Sequence, residues 1–327
     1  MSWLAFRLHT TREAIDWVCT LLADAIAPEN LQFSPDLLEP WEYALQIFLP
    51  EADQTRDRIQ HIEQVLSSLQ RTGLASDLEI TEIDALPLSD LAPQSHRIGQ
   101  RFVILNSTLN PTMSDVPGDH ALIPLQLKTS LAFGSGLHPA TNLALQLLER
   151  YVKPGMRSLD LGSGSGILAV AMAKLGAQVL AVDNDPIAVQ STQDAVQRND
   201  VESQVTVMEG SLGQGSTLGH WMGGTTAMEV PAIAPEVTFD LIAANILARV
   251  HVTLAADFRR SLTVPPQSPT PQSPTPQTTG LLITAGYTTD YEETVEAALT
   301  AAGFQRIAEE RSQEWVAVAY QVQERCP

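Results

Sequence analysis

The chain has 327 residues, 44% of them hydrophobic and 17% charged, enough for two soluble domains that each bury a core. Its 38 acidic and 19 basic residues give a formal charge of -19, which argues against broad contact with nucleic-acid phosphates. The same charge keeps a protein soluble, or attracts a basic protein or lysine-rich tail. No apolar run approaches the roughly 18 residues that span a bilayer, and MSWLAFRLHTTREAID lacks the pattern of a signal peptide. Two cysteines, Cys19 and Cys326, have neither disulfide-framework nor metal-ligand spacing and fit a reducing cytoplasm.

The first 85 residues alternate between two periods. WLAFRLH reads as a strand and TREAIDWVCTLLADAIA as an amphipathic helix. NLQFSP and WEYALQIFLP follow as strands. RDRIQHIEQVLSSLQRTG carries Ile59, Ile62, Val65, Leu66 and Leu69 on one face and stops at Gly73. DLEITEID closes the run as a strand. The order βαββαβ predicts a small ferredoxin-like α+β domain over 1–85. Residues 86–130 read as a linker region in which RFVILNS and ALIPLQL are strands around a turn-rich NPTMSDVPGDH.

From Leu131 the pattern becomes strand–helix alternation, which predicts a mostly parallel sheet with helices on both faces. The strands are SLDLG, QVLAVDND, QVTVMEG, FDLIAAN and GLLITAGY, with helices between them. FQRIAEERSQ and EWVAVAYQVQ lie close together and predict an antiparallel end to the sheet. The expected class is therefore α/β, a Rossmann-like domain over 131–327 behind the small α+β domain. Insertions interrupt it near 211–237 and 263–279. The second, TVPPQSPTPQSPTPQTTG, repeats PQSPT and is expected to be a disordered surface loop.

Two glycine-rich stretches carry the chemistry. DLGSGSG places Gly162, Gly164 and Gly166 after a strand and before a helix, where backbone approaches a ligand closely and free N–H groups point outward. The next strand ends at Asp183, an acid placed to accept from both hydroxyls of a ribose. NAD(P) and S-adenosylmethionine share this plan. The dinucleotide fingerprint needs a third glycine where this chain has Ile167, and its glycines run GxGxG instead, which favours S-adenosylmethionine. Asp160 is placed to face the cofactor's amino group or to serve the turn alone. Asn245 ends the strand FDLIAAN and either aims an amine for in-line displacement or caps the next helix.

LAFGSGLHPAT, LDLGSGSGILAVAMAKLGA, VDNDPIAV and FDLIAANILA together closely resemble the ribosomal protein L11 methyltransferase family, over about Leu131 to Tyr320. The resemblance implies a class I S-adenosylmethionine-dependent protein N-methyltransferase acting on amino groups of a ribosomal protein, lysine side chains or the N-terminal amine. It implies a small N-terminal recognition domain. It carries cofactor contacts onto Thr141, Gly162, Asp183 and Asn245, with Phe133, Asp160, Gly164 and Gly166 beside them. Asn245 is the residue expected to position the amine. His138 reads as a general base or as a shaper of its loop. The expected partner is ribosomal protein L11, with S-adenosylhomocysteine as product, no metal, no membrane, no nucleic-acid requirement and a monomeric chain. The chain departs from the family in DALPLSDLAPQSHRIGQRFVIL, which lacks the usual tryptophan-rich character. The alternatives are a methyltransferase for another protein or small-molecule amine, and an NAD-dependent oxidoreductase. NILA in place of NPPY counts against a glutamine amide as acceptor.

Overall fold

The computed structural model describes residues 3–11, 14–22, 26, 31–35, 41–50, 55–84, 94–106, 122–127, 138–213, 231–234, 238–263 and 280–323. The chain divides into two compact units. One comprises Met1–Arg97 with Phe102–Pro139, and the other Ile98–Arg101 with Ala140–Pro327.

The first unit begins with β1 (Trp3–Thr10), α1 (Ile15–Leu21), β2 (Leu31–Pro35), β3 (Tyr43–Pro50), α2 (Thr55–Arg71) and β4 (Glu79–Ile83). These follow the βαββαβ order read from the sequence. The strands lie in the order β2-β3-β1-β4, and all three pairings are antiparallel. Strand β1 is central because its alternate residues Leu4, Phe6 and Leu8 are buried. They join Val18 and Leu22 from the first helical segment and Ile62 and Leu66 from α2 in one core, with Ile59, Val65 and Leu69 packed at its margin. The apolar stripe of α2 thus faces the sheet, and Gly73 ends the helix at φ +74°.

Three further strands, β5 (Gln94–Ile98), β6 (Phe102–Asn106) and β7 (Ile123–Leu127), form a separate sheet in the order β5-β6-β7. Two of them match the strands expected in the linker region, and β6 pairs with β7 in parallel. Strand β5, QSHRI, has a polar composition with no alternation to announce it.

The second unit runs α3 (Pro139–Tyr151), β8 (Arg157–Leu161), α4 (Ile167–Lys174), β9 (Gln178–Asp183), α5 (Pro186–Arg198) and β10 (Val205–Glu209). It continues with β11 (Ser211–Leu212), β12 (Ala232–Ile233), β13 (Leu241–Asn245), α6 (Ala248–Arg260), β14 (Leu281–Thr288), α7 (Thr289–Ala301), β15 (Phe304–Ser312) and β16 (Trp315–Val322). Seven strands make one sheet in the order β10-β9-β8-β13-β14-β16-β15. The first five run parallel, and β16 and β15 close the sheet antiparallel, as the sequence predicts.

The composition explains the order. Leu241–Ala244 of β13 are all buried, as a central parallel strand with both faces covered requires. Helix α4 is apolar on every side, with Ile167 through Ala173 buried, because it packs on the sheet and beneath α5. Strand β15 alternates exposed and half-buried residues after the buried Phe304 and lies at the sheet edge, where its charged side chains reach water. Within the first insertion, β11 and β12 form a two-residue parallel ladder. Residues 214–230 and 235–237 of it lie outside the described residues, as does 264–279 of the proline-rich repeat. Among the described residues no helix is long and apolar enough to cross a membrane.

Candidate functional site

Strand order reverses between β8 and β13, the switch point where ligands bind beyond the carboxyl ends of strands in open α/β sheets. Asp160 and Gly162 stand at the end of β8, Asp183 ends β9 and Asn245 ends β13. The sheet therefore brings these four sequence-predicted residues to one edge.

The glycine turn leaves β8 at Gly162, whose φ of +75° only glycine adopts without strain. A Cβ there would stand 2.5 Å from Cγ2 of Ile246, so the bare backbone also makes room for the residue after Asn245. Gly166 precedes α4, and a Cβ on it would come within 2.9 Å of the Thr192 Cα in α5. The Thr192 hydroxyl donates to the Gly164 carbonyl at 3.1 Å and lies 2.9 Å from the Ser163 hydroxyl. A threonine in mid-helix gives no sequence signal, yet it ties the turn to α5.

The Gly164 N–H donates to Asp183 Oδ2 at 2.9 Å, and the Asp185 N–H to Oδ1 at 3.0 Å. These backbone donors fix the carboxylate, which has more lone pairs than the two contacts use. Burial raises the Asp183 pKa, opposed by those N–H groups. Asp160 is fully buried, and neither carboxylate oxygen is in hydrogen-bonding geometry among the described residues. Burial pushes its pKa up to about 7, with the Ala169 N–H opposing and the nearby Asp183 charge adding.

Asn245 donates from Nδ2 to the Thr141 hydroxyl at 3.1 Å, and its Oδ1 is buried without a hydrogen-bond partner among the described residues. Helix α6 is capped by Leu247 and receives no side-chain cap, so Asn245 is not a helix cap. Thr141 lies in the first turn of α3 and is completely buried. His138 is also buried, which lowers its pKa to about 4. Phe133 and the glycines of LAFGSGL lie outside the described residues.

These features fit a nucleoside-type ligand: a turn with no room for a Cβ at Gly162 or Gly166, an acid held by backbone at the next strand end, and an amide whose carbonyl has no hydrogen-bond partner among the described residues. The model of the family described as ribosomal protein L11 methyltransferase (PrmA) matches residues 2–323. The chain belongs to the ribosomal protein L11 methyltransferase family. A ribosomal protein L11 methyltransferase of Chloroflexus aurantiacus is 38% identical over 98% of each chain, and that of Herpetosiphon aurantiacus 35% identical over 98% and 99%. The crystal structure of a ribosomal protein L11 methylase from Lactobacillus delbrueckii subsp. bulgaricus is 25% identical, covers 70% of this chain and 99% of its own, and superposes with a TM-score of 0.52. Kinship with L11 methyltransferases thus extends into the N-terminal unit, beyond the motifs that carried the sequence resemblance. Sequence reasoning did not single out Thr192, Ile246 or Gly286, which stand against the Gly164 carbonyl, Gly162 and Asn245 Oδ1 respectively. Of these only Gly286, a glycine inside the strand GLLITAGY, carried a signal, since such a glycine marks a bulge or a close backbone approach.

Proposed function

We propose that this L11 methyltransferase family member transfers methyl groups from S-adenosylmethionine to amino groups of ribosomal protein L11, at lysine side chains or the N-terminal amine. The observation that carries the reading is the Asn245 amide. It stands at the switch point with one end tied to Thr141 and a buried carbonyl oxygen that has no partner among the described residues. An unsatisfied buried acceptor is costly, and an N–H of a ligand or substrate removes that cost.

When bound, S-adenosylmethionine supplies a methyl carbon on a sulfonium, already activated for displacement. Gly162 and Gly164 line its site with backbone, and Asp183 accepts from ribose hydroxyls through its free lone pairs. Asp160 offers a carboxylate to an ammonium. Asn245 accepts an N–H and holds the attacking nitrogen's lone pair in line, which is the main demand of methyl transfer.

An incoming lysine must lose a proton with a pKa of about 10.4, and a strong base would help. His138, with its pKa lowered to about 4 by burial, is a weak base and is not assigned the proton. The proton leaves to water. The net charge of -19 draws a basic protein substrate toward the enzyme. No nucleic acid is required, and the chain acts as a cytoplasmic monomer without a metal.

Calorimetry with S-adenosylhomocysteine and with NAD tests the nucleoside reading. Saturable one-to-one binding of the first and none of the second is expected. Binding of NAD alone would replace the methyltransferase reading with an oxidoreductase.

A further inference from the structure

His251 is completely buried on α6. Its Nε2 lies 3.0 Å from the Ala285 carbonyl oxygen. A carbonyl only accepts, so Nε2 carries the proton. Nδ1 has no hydrogen-bond partner among the described residues. The ring meets Tyr287 edge-on at 5.3 Å and tilts against Phe258 at 6.2 Å. Burial lowers its pKa to about 4, with the Ala285 and Ile246 carbonyls opposing in part, so the ring is neutral near pH 7.

The same Ala285 oxygen accepts from the Ile246 N–H at 3.1 Å. One carbonyl thus holds both the residue that follows Asn245 and the histidine. Next along the strand, Gly286 adopts φ +88°. A Cβ on it would meet the Ile246 backbone O and N at 2.6 and 2.7 Å and Asn245 Oδ1 at 2.9 Å. The register between β14 and β16 shifts here, between Thr284 and Tyr287. Ile246 in turn fills the space above Gly162.

We propose that His251 is a positioning residue for methyl transfer: its Nε2–H fixes the Ala285 carbonyl, and through it Ile246, the Asn245 amide and the Gly162 turn. The inference rests on the reading of Asn245 as the amine-orienting group. A polar ring buried between α6 and the sheet, against Tyr287 and Phe258, is costly unless its hydrogen bond is made. Leucine would fill that space at no such cost. The bond therefore selects one position of the corner, and a corner that slips aims the Asn245 carbonyl away from the nitrogen it orients.

Three full-length variants and one spectrum test this. His251→Leu removes the donor while keeping an apolar bulk, and His251→Gln keeps a donor at a similar reach. Phe258→Leu loosens the same packing without touching the hydrogen bond. His251→Leu is expected to lower kcat on L11 about tenfold, the factor of one ordinary hydrogen bond, with a smaller change in KM for S-adenosylmethionine. His251→Gln is expected to recover most of that loss, and Phe258→Leu to lower Tm without the kcat loss. Equal kcat losses in His251→Leu and Phe258→Leu at matched Tm would overturn the proposal. In the wild-type chain, 15N spectra are expected to show His251 as the neutral Nε2–H form, and an Nδ1–H form would overturn it even where His251→Leu does not fold. A wild-type chain that binds no S-adenosylhomocysteine would instead overturn the underlying reading of the site.

Discussion

Asn245 and Thr141 stand 104 residues apart in the chain and meet through a 3.1 Å hydrogen bond from Nδ2 to the threonine hydroxyl. The bond fixes which end of the amide is spent and which is free. Asn245→Ala removes both the tether and the free carbonyl. It is expected to lower kcat/KM about 10²-fold, in line with losing one oriented polar contact to the reacting group. Thr141→Val keeps the amide but loses its anchor, and a loss of about tenfold is expected. Initial rates of methyl incorporation at saturating S-adenosylmethionine check both. Equal activity in Asn245→Ala and wild type would remove Asn245 from the site.

Gly162→Ala places a methyl group 2.5 Å from Ile246 Cγ2 at a φ of +75°. Overpacking of this kind costs about 1–3 kcal/mol and here moves the turn proposed to hold the nucleoside. S-Adenosylhomocysteine affinity is expected to fall at least about fivefold, with the far-UV circular dichroism unchanged. Unaltered affinity by calorimetry would mean that the turn does not approach the ligand.

Thr192→Val is nearly isosteric but strips a hydroxyl from the buried Ser163–Thr192–Gly164 arrangement. It leaves the Ser163 hydroxyl and the Gly164 carbonyl short of a partner, at a cost of about 1–3 kcal/mol. Scanning calorimetry is expected to show a Tm lower by several degrees. Cofactor affinity should fall with it, because Gly164 also donates to Asp183. A Tm loss without any change in affinity would confine Thr192 to stability.

Asp160 supplies a pH dependence of known sign. Its folded-state pKa is raised from 3.8 to about 7 by burial, so a proton there stabilises the fold. That contribution is full below the ordinary carboxylate range and is lost as pH rises through about 7. A shift of this size corresponds to roughly 4 kcal/mol as an upper bound. Asp160→Asn, which carries no charge, is therefore expected to gain Tm over wild type at pH 8 and little at pH 4. Ligand binding runs the other way: an ammonium prefers the carboxylate, so affinity for S-adenosylhomocysteine should weaken as pH falls through 7 and become flat in Asp160→Asn. Parallel pH profiles in the two proteins would detach Asp160 from the ligand.

Much of this was legible in the chain. Period-2 and period-3.6 patterns placed β1 and α2, because one face of each is more deeply buried than the other, and the apolar run of β3 marked a strand buried on both faces. The parallel sheet followed from apolar strands such as Leu241–Ala244, and its antiparallel end from two strand patterns too close for a helix between them. The glycines of DLGSGSG and the acid at Asp183 were readable because each answers a local demand, close backbone approach or a strand-end carboxylate. Strand β5 was not readable, since QSHRI has no alternation. Nor were Thr192, Ile246 and His251. Each acts through a partner far along the chain, and its residue type is as ordinary in a helix or core as in a site. The free Oδ1 of Asn245 likewise emerges only once Thr141 is beside it.

The most direct test is transfer itself. Full-length protein is incubated with methyl-labelled S-adenosylmethionine and purified ribosomal proteins, and modified peptides are located by mass spectrometry, with Asn245→Ala alongside. Label on lysine side chains or the N-terminal amine of L11, lost in Asn245→Ala, is the predicted result. Label on another ribosomal protein with none on L11 under the same conditions would contradict it.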